Sequence, residues 1–160
     1  QDTVGKLAGL EIGNGGMACD DTINARKRLE SDVIALRPDL VLLLLGTNNS
    51  SATQAMTDLK YIIRRLRSAR INVIVCTILP RPQPERAVKL NQLLRQYCRQ
   101  EQILLHDWYE VMNDGNGNMK KEYGGGVHPN TRGIEVMARS FIEDPVVKKF
   151  ILQSTERKDK

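Results

Sequence analysis

One of the two histidines, His128, stands in the glycine-rich loop Gly124-Gly125-Gly126-Val127-His128-Pro129-Asn130. The apolar positions Ile134, Met137, Ala138 and Phe141 follow at helical spacing, with Asn130 or Thr131 as the N-cap. An imidazole on a loop beside a helix start is placed to act as a general base. Earlier, the run Leu40-Val41-Leu42-Leu43-Leu44-Leu45 passes straight into Gly46-Thr47-Asn48-Asn49. The Asn48 amide, held at the end of a buried strand, can donate to a developing oxyanion. Gly16, closing Gly13-Asn14-Gly15-Gly16, offers a backbone N–H that a substrate can approach closely. A base and two oxyanion donors are the fixed parts of acyl transfer, which further needs a nucleophile. Each residue also has a plainer reading. Asn48 can be a turn residue capping the next helix, and Gly16 a turn glycine. His106, beside Asp107 and Trp108 at a strand end, reads as structural.

The elements that must position these residues alternate. A short strand is expected at Leu10-Glu11-Ile12, and a helix from about Thr22 to Leu36, capped by Asp20 or Asp21, with Leu29, Val33 and Leu36 on one side. Leu40 to Leu45 is apolar throughout, as a strand of a parallel sheet buried on both faces requires. Met56, Leu59, Ile62, Ile63 and Leu66 mark a helix from about Thr53 to Arg70. A strand over Asn72 to Leu79 runs into the Pro-rich loop Arg81 to Pro84. Glu85 to Gln100 then reads as a helix with Leu90, Leu93, Leu94, Tyr97 and Cys98 inward. Ile103-Leu104-Leu105 is the last strand, and a long loop through Asp114-Gly115-Asn116-Gly117 leads to His128. Such alternation predicts a three-layer α/β/α sandwich with a mostly parallel sheet and right-handed crossovers. Gly16, Asn48 and Pro80 fall at carboxyl ends of strands, the edge where open α/β sheets bind ligands.

The length of 160 residues suits one domain, read as residues 1–150 with a basic tail over 151–160. Hydrophobic residues make up 41% and aromatics 4%, so the core must be aliphatic. The net charge of +5 and pI near 9.2 raise the question of nucleic acid. The cations are spread along helix patterns (Arg26, Lys27, Arg28; Arg64, Arg65, Arg67) with few aromatics between them, so a solvated face is expected and nucleic-acid binding is not. Cys19, Cys76 and Cys98 lack framework spacing and read as reduced thiols, the latter two in the core. With no secretory signal at the start, this points toward the cytoplasm, although an opening at Gln1 leaves a processed N-terminus open. No apolar run approaches the ~20 residues of a membrane span. No metal constellation and no cofactor motif is present: G-x-x-x-x-G-K-[ST] is absent, and Gly13 to Gly16 lacks G-x-G-x-x-G spacing, which argues against a flavodoxin-like nucleotide binder.

In order and spacing these motifs resemble the blocks of the SGNH (GDSL-type) esterase and lipase family. Asn14-Gly15-Gly16-Met17 is similar to the second block, Gly46-Thr47-Asn48 to the third and Gly126-Val127-His128-Pro129-Asn130 to the fifth. The segment from Thr77-Ile78-Leu79-Pro80-Arg81 through Asn91-Gln92-Leu93-Leu94 also resembles the family, and GTNN with LPR is similar to the catalytic subunits of brain-type platelet-activating-factor acetylhydrolase. The resemblance spans roughly residues 8 to 142. It implies the SGNH hydrolase fold, a small acyl-ester substrate, His128 as the catalytic base, and Gly16 and Asn48 as oxyanion-hole donors.

Two family residues have no counterpart. No G-D-S block occurs, while Ser31, Ser68 and Ser140 fall in helix patterns and Ser50 and Ser51 follow the wrong turn. The acid expected three residues before the histidine is Gly125, leaving Glu122 and Asp114 as substitutes from the long loop. In the family's strand order 2-1-3-4-5 the absent segment is the central first strand. The expectation is that residues before Gln1 supply it, or that the open edge along Leu40 to Leu45 is filled by rearrangement or by a partner strand, giving a homo-oligomer. As written, the chain is expected to hydrolyse esters weakly. The alternative is a non-catalytic binding module that kept the pocket.

Overall fold

The computed structural model describes residues 11–155. Three parallel strands form its central sheet: β1 (Leu40–Leu43), β2 (Asn72–Cys76) and β3 (Leu104–His106), in the order β1-β2-β3. Leu40 pairs with Asn72 and Leu43 with Val75, while Ile74 pairs with Leu104 and Cys76 with His106. Side chains alternate across a strand, so β2 feeds two cores. Val73 and Val75 join one cluster with Leu59, Ile63 and Leu66 of α2 (Ala52–Ser68) and Leu90 and Leu94 of α3 (Glu85–Gln100). Leu29 of α1 (Thr22–Asp32) packs there too. Ile74 and Cys76 face the opposite way. They meet Trp108 of α4 (Trp108–Met112), Phe141 and Ala138 of α5 (Thr131–Ile142), and Val147 and Ile151 of α6 (Pro145–Thr155). This is the expected α/β/α sandwich.

The local signals act as the sequence predicts. Asp21 caps α1 by accepting from the Asn24 N–H at 2.8 Å, and Asn130 caps α5 through the Gly133 N–H at 2.9 Å. In α3, Leu90, Leu94, Tyr97 and Cys98 are buried and Leu93 is half-buried, as its spacing requires.

Several expectations need correction. Leu10 lies outside the described residues, and Glu11 and Ile12 are exposed and unpaired rather than part of a strand. The first helix ends at Asp32, and a separate 3-10 turn over Ile34–Leu36 leads to Arg37 in the left-handed region. That turn swings Leu36 outward, to 75% exposure. The strand Leu40 to Leu45 is not buried on both faces. β1 pairs only with β2 among the described residues, so Leu42 and Leu44 remain 36% and 40% exposed. At the other end, Ile151 to Thr155 is the last part of α6 rather than tail, because Ile151 and Ser154 are buried. Residues 156–160 lie outside the described part. The long loop is also built: it contains α4, a 3-10 turn at Lys121–Tyr123, and a hairpin of β4 (Gly124–Gly125) and β5 (His128–Pro129).

Candidate active site

Because the three strands are parallel, the chain leaves all of them at one edge, and the turn after β1 carries Asn48 there. Gly46 follows β1 with φ +119°, and a Cβ on it would sit 2.6 Å from Leu90 Cδ2. Only glycine allows this turn to lie so tightly on α3. The turn delivers Asn48 with its Nδ2 donating to Asp20 O at 2.9 Å. A side-chain amide has two donor hydrogens. One is thus spent on fixing its direction, and the second has no partner among the described residues. Gly16 is nearby in sequence to the same anchor, but its N–H donates to Asn14 Oδ1 at 2.8 Å. That N–H is therefore engaged rather than open to a ligand.

His128 stands on the hairpin that follows α4. α4 starts directly after β3, and the loop beyond it is tied back by Lys120 N–H to Met112 O at 2.9 Å. The hairpin pairs Gly125 with His128 and Gly124 with Pro129. Asn130 closes it with its N–H on Tyr123 O at 2.8 Å and its Nδ2 on Glu122 O at 3.2 Å. α5 can pack beneath only because residue 133 is glycine, where a Cβ would run into Tyr123 O and come within 2.9 Å of Pro129 Cβ. The His128 imidazole is exposed, and no hydrogen bond joins it to Asn48, Gly16, a serine or a carboxylate among the described residues. Asp114 does not reach it: its Oδ1 caps its own loop, accepting from the N–H groups of Asn116 and Asn118.

The segment after β2 is tied to the turn that carries Asn48. Asn91, fully buried on α3, accepts from Ile78 N–H and donates to Ile78 O, both at 2.9 Å. Its amide pairs with the backbone as a neighbouring strand would, and so fixes Ile78 to Arg81. Arg81 and Arg86 then both donate to Thr47 O, at 2.6 and 2.9 Å. Two shallow surface hollows lie away from this edge, one along Thr57, Lys60, Tyr61 and Arg64 and the other between Ile103, Val146 and Phe150; neither includes Gly16, Asn48 or His128.

A model of the GDSL-like lipase/acylhydrolase family matches residues 5–136, most of the chain and every one of these turns. The chain belongs to that family. No curated protein matches it by sequence. Solved structures share the family's fold. One is a Bacteroides fragilis protein assigned as an acylhydrolase (24% identical, TM-score 0.83, covering 93% of this chain and 79% of that one). A GDSL-like lipase from Bacteroides thetaiotaomicron is 22% identical, with TM-score 0.81 over 92% of this chain and 80% of its own. A variant of a Geobacillus acetyl-xylooligosaccharide esterase is 18% identical, with TM-score 0.74 over 89% of this chain and 78% of its own.

Within this acylhydrolase fold every serine but Ser50 has other work. Ser51 caps α2, Ser31 donates to Asp32, Ser68 donates to Arg65 O, and Ser154 donates to Phe150 O. Ser50 is exposed, with no described hydrogen bond. Ser140 stands beside His106 (Oγ to Nε2, 3.3 Å), whose Nδ1 faces Asp144 at 3.4 Å. That Ser-His-Asp order is structural. Ser140 already donates to Met137 O, and the ring is buried edge-on between Trp108 and Phe141 with no room for substrate.

Sequence reasoning missed the buried polar supports. Asn49 accepts from Thr22 N–H and donates to Thr22 Oγ1, which donates to Asp58, itself paired with Arg26 at 3.2 Å. Asp107 accepts from Thr77 and from Arg95, and although burial opposes ionisation, these bonds hold its carboxyl below the usual range. The available signal was a polar residue interrupting an apolar helix face: Asp58 between Ala55 and Leu59, and Asn91 between Leu90 and Leu94. Cys76 and Cys98 are core thiols as expected, and burial pushes the Cys98 pKa up to about 12.

Burial lowers the His106 pKa below its ordinary 6.5, against the opposing pull of Asp144. Below pH 6.5 the unfolded chain therefore takes up a proton that the folded protein resists, so stability falls as the pH drops; above it both forms are neutral and His106 adds no slope. Denaturant midpoints from about pH 5 to about pH 7.5 should decline toward acid in the wild type and flatten in His106→Phe. Equal slopes in the two proteins would refute this assignment.

Proposed function

We propose that this chain is the scaffold of a serine-dependent hydrolase of small acyl esters, with His128 as base and Asn48 and Gly16 as oxyanion donors. The observation that carries it is the Asn48 amide, pinned by Asp20 O at the carboxyl edge of the sheet with its second N–H unpartnered among the described residues. In the reaction His128 takes the proton of a serine hydroxyl as the oxygen attacks the ester carbonyl. The carbonyl oxygen becomes an oxyanion, met by Asn48 Nδ2–H and by the Gly16 N–H once Asn14 has turned away. Collapse expels the alcohol, which takes the proton from His128, and water then releases the acid by the same route. The nucleophile belongs on a strand seated against the outer edge of β1, which no described residue pairs and where Leu42 and Leu44 are exposed. A strand from a second copy is the competing occupant, and a monomeric mass in solution would exclude it.

The lack of any carboxylate or serine bonded to His128 among the described residues favours a second reading, a binding module that retains the acyl pocket. A fluorophosphonate probe separates them. The hydrolase reading expects covalent labelling of a serine other than Ser31, Ser50, Ser51, Ser68, Ser140 and Ser154. Labelling of Ser50 would move the nucleophile to the Gly46–Ser51 turn, and no labelling at all would leave the binding module standing.

A further inference from the structure

Five arginines of the described chain are half-buried. Arg28, Arg65 and Arg95 each hold a carboxylate. Arg81 and Arg86 hold none; both spend one N–H on Thr47 O, at 2.6 and 2.9 Å. Sharing that oxygen brings the two donor nitrogens within about 6 Å of each other, a repulsive arrangement for like charges. A neutral carbonyl has two lone pairs, both now used, and cannot offset two full charges. Burial, with the charge of Arg81 added, accordingly lowers the Arg86 pKa. No described residue occupies the rest of either guanidinium fork. Such forks match oxyanions, which can accept from both at once.

We propose that Arg81 and Arg86 form an anion subsite for a carboxylate or phosphoryl group, one residue from Asn48. Naming that anion as part of the substrate rests on the acyl-ester reading; the site would then select esters that carry a negative charge a short distance from the scissile carbonyl. Arg81 is fixed for this task by the Asn91–Ile78 pairing and by its own N–H on Gly117 O at 3.3 Å. Arg86 is fixed by its place in the first turn of α3.

The test titrates inorganic phosphate, and separately benzoate, into the protein while following backbone amide NMR signals. Saturable shifts are expected at Gly46, Thr47 and Asn48, with affinity weakened about tenfold or more in Arg86→Gln and in Arg81→Gln, and partly kept in Arg86→Lys. Dispersed spectra of the variants show in the same experiment that they fold. Shifts centred elsewhere, or equal affinity in wild type and both Gln variants, would overturn the subsite. Hydrolysis of phenyl acetate and 4-carboxyphenyl acetate separates the two proposals. Turnover of both at equal kcat/KM overturns the substrate role while the hydrolase reading stands. Phosphate binding without turnover of either also overturns that role, leaves an anion site, and counts against the hydrolase reading instead.

Discussion

Exchanging His128 for glutamine is expected to lower kcat/KM for an activated acetyl ester by about 10²- to 10⁴-fold, the range typical of a lost general base. The fold should hardly notice. The imidazole is exposed and without a described hydrogen bond, so the stability change should stay within about 0.5 kcal/mol. A loss of activity below tenfold in a protein that melts normally would remove His128 from the mechanism. The hairpin supplies a converse test. Gly125 is the direct cross-strand partner of His128, so side chains at the two positions share a face. A Cβ at Gly125 meets nothing within 4 Å, and its φ is not in the left-handed region. Gly125→Asp therefore places a carboxylate beside the imidazole without strain. It should raise activity by orienting the ring and stabilising its protonated form, the function of the acid in a Ser-His-Asp triad. An unchanged or lower rate in that variant would show that the hairpin presents His128 for something other than base catalysis.

Replacing Asn91 with leucine should cost roughly 2–5 kcal/mol of stability. Leucine matches the size of the site and keeps it apolar, but Ile78 N–H and Ile78 O both lose their partner inside the core. Each orphaned buried group costs about 1–3 kcal/mol. Urea denaturation measures the difference directly, with an unchanged m-value confirming that the fold persists. Asn91→Asp keeps the acceptor for Ile78 N–H but has no donor for Ile78 O, so it should lie at least as low at neutral pH because a charge is buried as well. A cost under about 1 kcal/mol for the leucine variant would mean that the backbone beyond β2 finds other partners. Because Ile78 leads directly to Arg81, the same substitution should loosen the turn that faces Thr47.

The periodic signals in the chain were sufficient for its scaffold. Apolar residues at i, i+3 and i+4 marked α2 and α3, and the bounds Glu85–Gln100 of α3 were read to the residue because a proline precedes the helix and its apolar face is unbroken. The caps were legible to within one residue, as Asp20 or Asp21 and as Asn130 or Thr131, because a cap is a local hydrogen bond; the structure selects Asp21 and Asn130. The family motifs, too, are local: a glycine where the chain must turn and a polar side chain just after it.

What the sequence by itself determined is therefore the α/β/α class and the turns that carry Gly16, Asn48 and His128. The tertiary structure alone decided whatever depends on residues distant along the chain. It showed that β1 pairs on one side only among the described residues, with Leu42 and Leu44 exposed, although its composition matches that of a strand buried on both faces. It assigned one Asn48 hydrogen to Asp20, tied Gly16 to Asn14, and set two arginines on Thr47 with no acid between them. The physical reason is range. Periodicity and capping are written into neighbouring residues, whereas the partner of a buried amide, the exposure of a strand edge and the balance of charge around a turn are fixed only when separate elements meet.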